Sequence, residues 1–180
     1  MTIHDDLDNI LISKEEIQRR VEELGKELSE VYKDEPPLLV CVLKGGSIFL
    51  TDLIREMDIY LDIDFMDVSS YGDAFTSSGE VKIIKDIGES AEGRHVVFVE
   101  DIIDTGNTLS YLMNMFENRN AKSVKAVTLL DKPSRRTNNL SPDWFGFTIP
   151  DEFIVGYGLD YKGKYRNLPY IGVLKPEIYE

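Results

Sequence analysis

A single cysteine, Cys41, stands in the whole 180-residue chain, so no internal disulfide can form and the fold must rest on an apolar core. Positive charge is also scarce: 20 Lys and Arg stand against 33 Asp and Glu, a formal net charge of −13. A protein that grips nucleic acid by its phosphates carries a basic surface, so no nucleic-acid partner is expected. An anionic ligand must instead be held by local donors, helix N-termini or a bound cation, against the field of the whole molecule. No apolar run approaches the about 20 residues that span a bilayer, and Met1-Thr-Ile-His-Asp-Asp6 lacks the basic-then-apolar order of a signal peptide. No membrane partner is expected, and the expected location is cytoplasmic. No Gly-x-x-x-x-Gly-Lys-[Ser/Thr] loop occurs, and neither does a repeat, a low-complexity tract or a linker. With 42% hydrophobic and 29% charged residues, 7 Pro and 13 Gly, residues 1–180 read as one globular domain.

What is present alternates between two periodicities. Residues 13–33 read as an amphipathic helix, with Ser13 as N-cap, Glu16 three residues on, and Ile17, Val21, Leu24, Leu28 and Val31 at helical spacing. Pro36-Pro37 ends it, and Leu38–Leu43 is a continuous apolar run, as in a strand buried on both faces. Lys44-Gly-Gly46 breaks that run before a second helical stretch, 47–57, with Ile48, Leu50, Leu53, Ile54 and Met57 inward. Strands are expected at Ile59–Val68, Val81–Ile84, Val96–Val99 and Val124–Leu130, with a helix after Thr105 presenting Leu109, Leu112, Met113 and Phe116. Short apolar runs follow at 153–155 and 171–174. Strand–loop–helix units in this order predict an α/β fold around a mainly parallel sheet, with ligands at the carboxyl ends of the strands.

One segment lies where such a ligand would bind: Val96-Val-Phe-Val-Glu-Asp-Ile-Ile-Asp-Thr-Gly-Asn-Thr-Leu109. A buried strand runs into two carboxylates, Glu100 and Asp101, then into the turn Asp104–Thr108 that opens a helix. Backbone N–H groups at that turn, with the helix dipole and the hydroxyls of Thr105 and Thr108, can enclose a phosphate without any lysine. Glu100 and Asp101 can accept hydrogen bonds from a diol or hold a hydrated divalent cation. Phosphate donors beside carboxylates suit a phosphorylated sugar.

The run Val-Glu-Asp-Ile-Ile-Asp-Thr-Gly-x-Thr closely resembles the phosphoribosyl pyrophosphate signature of the type I (purine/pyrimidine) phosphoribosyltransferases, in its hypoxanthine-guanine form. The likeness continues through Leu43-Lys-Gly45, Ser70-Tyr71, Leu130-Asp-Lys132, Phe153–Asp160 and Arg166, in consistent order over roughly residues 11–174. It implies the fold of that family: a mainly parallel sheet flanked by helices, a lid at about 69–80, and a small hood built from the N-terminus and about 150–180. It also implies a magnesium-dependent transferase of purine salvage. Such an enzyme joins hypoxanthine, and guanine as well, to the 5-phosphoribosyl group of phosphoribosyl pyrophosphate, giving IMP or GMP.

The same resemblance implies roles at the matching positions. Glu100 and Asp101 would face the ribose hydroxyls and a magnesium ion, and Asp160 would serve a second metal beside the purine. Asp104, Thr105, Gly106, Asn107 and Thr108 would hold the 5-phosphate, with Asp104 also the general base near purine N7. Asn107 departs from the family, which often carries a basic residue there. Lys44 and Gly45 would meet pyrophosphate through backbone N–H groups, often beside a cis peptide, and Arg166 would reach the same group. Ser70 and Tyr71 would close over it and exclude water. Lys132 would donate to the purine O6, Phe153 would stack on the base, and the Ile154 backbone would bond its edge. Ammonium is donor-only, so Lys132 accepts a 6-oxo group and disfavours a 6-amino group. Cys41, His4 and His95 show no pattern of metal or thiol chemistry. The family implies a homodimer or homotetramer. These residues do not separate hypoxanthine, guanine and xanthine, and a phosphoribosyl-pyrophosphate-sensing regulator that binds nucleic acid is the alternative of another class.

Overall fold

Continuous apolar strands and amphipathic helices assort as their patterns require. The computed structural model describes residues 2–70 and 81–180; Tyr71 and the rest of the expected lid, 72–80, lie outside the described residues. A 3-10 turn at Ile3–Asp6 leads into β1 (Leu7–Ile12), α1 (Lys14–Tyr32), β2 (Leu38–Val42), α2 (Ser47–Arg55), β3 (Asp62–Ser70) and β4 (Val81–Lys85). There follow β5 (His95–Ile103), α3 (Asn107–Asn118), β6 (Ser123–Asp131), β7 (Trp144–Thr148), β8 (Ile154–Val155), β9 (Ile171–Leu174) and α4 (Pro176–Tyr179).

Six strands form one sheet in the order β4-β3-β2-β5-β6-β7, parallel throughout except for the antiparallel edge strand β4. Alternation divides the core in two. Leu39, Cys41, Val97 and Val99 pack against α1 and α2 through Ile17, Leu24, Leu28, Phe49 and Leu53. Val40, Val42, Val96 and Phe98 pack on the other face against Leu109, Leu112 and Phe116 of α3. The chain leaves β2 toward β3 on one side and returns as β5 on the other, so the strand order reverses between β2 and β5. Their carboxyl ends border the crevice where an open α/β sheet binds ligands. A small antiparallel sheet, β1-β9-β8, joins the N-terminal strand to the C-terminal segments, as expected of a hood.

Local chemistry explains most boundaries. Ser13 Oγ accepts from the Glu16 N–H at 3.1 Å while Glu16 Oε2 accepts from the Ser13 N–H at 2.7 Å, the expected capping box. The apolar stripe of α1 steps from Leu28 to Tyr32, which is buried, and leaves Val31 exposed, contrary to the spacing read from sequence. Phe49 joins Leu50, Leu53 and Met57 in the core, whereas Ile48 and Ile54 are only partly buried. The strand β3 starts at Asp62 and runs through Ser69 and Ser70, which pair with Lys82 and Val81. Those two residues therefore belong to a ladder and not to the start of a loop.

Candidate active site

At the crevice, β5 carries its carboxylates in different directions. Glu100 lines a cavity of about 210 Å³ together with the turn from Asp104 to Thr108. Asp101, one residue on, turns to the opposite face and lies against Gly45, where an added Cβ would stand 1.9 Å from Asp101 Oδ2. Glycine at 45 is thus fixed by the approach of a carboxylate. Burial first, and the charge of Asp101 second, push the Glu100 carboxyl well above the usual carboxylate range. Burial also raises Asp101, opposed by the Ile102 N–H at 2.7 Å and by the charge of Arg166. Acids driven toward neutrality by their surroundings favour a cation that would keep them ionised.

The turn after β5 depends on Gly106, whose φ of 82° lies in the left-handed region. An added Cβ there would meet Arg136 Cδ and Asn138 Oδ1, both at 2.9 Å. From Gly106 the chain enters α3 at Asn107, so the helix begins directly over the turn. Gly106 brings no capping side chain to that helix end; the Asn107 N–H donates to Thr105 Oγ1 at 3.3 Å, and Gly106 to Leu109 line the cavity. Asn107 Oδ1 accepts from Thr137 Oγ1 at 2.8 Å, so its side chain ties the turn to the loop after β6.

A second cleft, of about 440 Å³, adjoins the first; Ile102 and Asp104 line both. Its walls include Lys132, Arg135, Asp151, Phe153, Leu159 and Asp160. Lys132 is 7% exposed, and its Nζ donates to the Glu152 carbonyl at 3.2 Å and lies 3.4 Å from Asp151 Oδ1. Between the two spaces, Asp104 Oδ1 is buried and accepts no hydrogen bond among the described residues; Arg135 Nε stands 3.5 Å away without hydrogen-bond alignment. A carboxylate that lines two cavities, and meets Arg135 without a hydrogen bond, can accept a proton from a ligand.

Two further loops, one after β2 and one after β8, meet where Gly158 packs against Gly45. Lys44 follows a cis peptide bond after Leu43 and is exposed, and its carbonyl accepts from Ser47 Oγ at 2.7 Å. Gly158, with φ of 100°, packs so close to Gly45 that a Cβ would stand 2.1 Å from its carbonyl oxygen. Arg166 donates to the Gly158 carbonyl at 2.6 Å and pairs with Asp160 at 3.2 Å, while Asp160 Oδ2 accepts from the Gly163 N–H at 2.7 Å. Ile154 is buried in β8, with its backbone in register with Val173. Cys41 is buried, and burial pushes its thiol up to about 12, so it stays a protonated core residue.

Several contributors were not legible as such. Arg136 pairs with the buried Asp131 and donates to the carbonyls of Asp104 at 3.2 Å and Leu140 at 2.6 Å, bracing the turn from behind. Thr137 N–H adds a bond to the Thr105 carbonyl at 3.1 Å. The available signal was position: Arg135-Arg136-Thr137 stands just past the carboxyl end of β6, as the turn does past β5. Arg135, Asp151, Glu152, Leu159 and Tyr179 were also missed.

Among the described residues, no three His, Cys, Asp or Glu side chains converge into a metal cage. Magnesium does not need one: it keeps several waters and is typically held by one or two carboxylates plus substrate phosphates. Glu100 at the turn and Asp101 beside Gly45 each offer one carboxylate of that kind.

Comparison with known proteins agrees with this fold. The phosphoribosyl transferase domain model matches residues 7–162. The chain belongs to the phosphoribosyltransferase family. Within that family it is 60% identical over 175 residues to the hypoxanthine-guanine phosphoribosyltransferase of Bacillus subtilis, covering 97% of each chain. It superposes on the crystal structure of a hypoxanthine phosphoribosyltransferase from Staphylococcus aureus with a TM-score of 0.96 at 49% identity, covering 99% of this chain and 97% of that one. A bifunctional protein TilS/HprT of Listeria monocytogenes is 58% identical over 178 residues, and there the chain spans only 28% of its relative's length. No helix among the described residues is long and apolar enough to cross a membrane.

Proposed function

We propose that the chain transfers the 5-phosphoribosyl group of phosphoribosyl pyrophosphate to hypoxanthine, and to guanine, in purine salvage. The observation that carries this reading is Asp104. Its carboxylate, whose Oδ1 accepts no hydrogen bond among the described residues, lies at the wall shared by a cavity built on a helix-opening turn and a cleft containing a buried lysine and an exposed aromatic ring.

The 5-phosphate is held by the backbone N–H groups and hydroxyls from Thr105 to Thr108, an arrangement that works despite the net charge of −13. The purine lies in the adjoining cleft, with its O6 on Lys132, its ring on Phe153 and its edge on the Ile154 backbone. Asp104 takes the proton from the base as the purine nitrogen attacks the anomeric carbon and the bond to pyrophosphate breaks. Glu100 and Asp101 lie near the positive charge that develops on the sugar. Glu100, Asp101 and Asp160 would hold magnesium, which when bound neutralises charge on the leaving pyrophosphate. Lys44, Gly45 and Arg166 bind that leaving group; Ser70, at the end of the β3–β4 ladder, and Tyr71 would cover it. A homodimer or homotetramer and a cytoplasmic setting complete the reading.

The test is to incubate the purified chain with phosphoribosyl pyrophosphate and magnesium and follow nucleotide formation from hypoxanthine, guanine, xanthine and adenine in parallel. Product from hypoxanthine or guanine that disappears with EDTA is expected. Binding of phosphoribosyl pyrophosphate without product from any base would overturn the enzyme reading in favour of a sensor.

A further inference from the structure

The C-terminal residues bring an aromatic side chain into the base cleft from outside the segments that carry the family resemblance. Tyr179 lines the same cleft as Asp104 and Lys132. Its ring lies on the Phe153 ring with centroids 4.5 Å apart and an interplanar angle of 14°, a stacked pair. Tyr161 meets Phe153 edge-on, at 5.4 Å and 87°. Despite both neighbours, Phe153 remains 38% exposed.

The backbone holds this stack in place. Phe153 immediately precedes β8, and its carbonyl accepts from the Leu174 N–H at 2.8 Å at the end of β9. Pro176 then opens α4, which carries Tyr179 back over the ring. Lys175 fixes the start of that helix: its N–H donates to the Asp6 carbonyl at 3.0 Å and its Nζ to the Asp5 carbonyl at 2.7 Å. Ile178 and Tyr179 pack against a cluster that includes Leu7, Val155 and Leu174.

We infer that Tyr179 is a positioning residue for the purine: it backs Phe153 and fixes the plane of that ring, so that the opposite face is presented ready-oriented to the base. The inference rests on the proposed reading of the cleft and adds a residue to it. A flat ring with one covered face has lost its torsional freedom before the base arrives, so less freedom is lost on binding. Aromatic stacking contributes beyond the buried area alone.

The experiment compares steady-state kinetics of the full chain with Tyr179→Ala and Tyr179→Phe, using hypoxanthine and phosphoribosyl pyrophosphate, with thermal unfolding of each. Tyr179→Ala is expected to raise KM for hypoxanthine by about 2- to 10-fold, the range of one stacked pair or one ordered side chain. Its kcat and its KM for phosphoribosyl pyrophosphate stay as in the parent chain, and Tyr179→Phe restores the hypoxanthine KM. An unchanged KM in Tyr179→Ala overturns the inference, and so does a lowered KM, which would make the ring a competitor of the base. A general loss of kcat with a lowered Tm, not rescued by Phe, also overturns it. A parent chain that makes no nucleotide at all brings down the functional reading instead, so the two failures are distinguishable.

Discussion

The two adjoining cavities are built from different materials. One is built on the Thr105–Thr108 turn, with Gly106 in a conformation that side chains resist, and is completed by Val42, Glu100 and Leu109. In the cleft beside it the lining is large side chains: Lys132, Arg135, Phe153, Leu159 and Tyr179. A phosphate is recognised by charge and shape, which oriented amides supply wherever a helix starts. A purine is recognised by the pattern of its edge and by its flat face, which need particular side chains. The first cavity should therefore tolerate changed side chains and fail when its backbone is disturbed, and the second should do the reverse.

The largest expected effect falls on the shared wall. Asp104→Asn keeps the size and hydrogen-bonding reach of the side chain but cannot accept the proton, so kcat should fall by about 10²- to 10⁴-fold with little change in either KM. Equal losses in kcat and affinity, read by steady-state kinetics, would argue against a base there. Next comes the cleft side chain. Lys132→Met should lower kcat/KM for hypoxanthine by about 10- to 100-fold, the worth of a charged hydrogen bond, and should shrink its advantage over adenine. Competition between the two bases in one assay reads the second effect.

For the backbone cavity, Gly106→Ala forces a side chain into a left-handed conformation against Arg136. Urea unfolding should show a loss of about 1–2 kcal/mol, and KM should rise for phosphoribosyl pyrophosphate more than for hypoxanthine. A smaller change appears in stability against pH. Glu100 holds its proton in the folded state over the window between the ordinary carboxylate value and its raised one, where the unfolded chain has released it. Folding stability without magnesium should therefore fall as pH rises through that window. Glu100→Gln should remove this slope and raise Tm near neutral pH, with no gain at pH values below the window. The smallest effect is expected from Asn107→Ala, which removes one bond to Thr137 from the tolerant cavity and should change KM for phosphoribosyl pyrophosphate by no more than about 5-fold.

Legibility in the sequence followed the same division. Leu38–Val42 and Val96–Val99 stood out because strands buried on both faces have no reason to alternate, and the turn after β5 because glycine and hydroxyl residues follow them directly. The edge elements were harder to see. Leu7–Ile12 is interrupted by Asp8 and Asn9, and Trp144–Thr148 carries a partly exposed aromatic run, so neither shows a clean period. Carboxylates adjacent in sequence looked like a pair, yet the pleat sends Glu100 toward the turn and Asp101 toward Gly45. Arg136 gave no signal beyond its position because a buried guanidinium and a surface one are spelled alike; its bonds to Asp131, Asp104 and Leu140 distinguish it. Tyr179 gave none because its partner, Phe153, lies 26 residues away in sequence and reaches it only through the β8–β9 pairing.

The central claim is that two ligands meet at Asp104. A crystal structure of the chain with phosphoribosyl pyrophosphate, magnesium and an unreactive hypoxanthine analogue tests it most directly. The account predicts the 5-phosphate on the amides from Thr105 to Thr108, the base between Lys132 and Phe153, and a base nitrogen within hydrogen-bond distance of the Asp104 carboxylate. A base bound away from Lys132, or an Asp104 carboxylate that touches neither ligand, would contradict it.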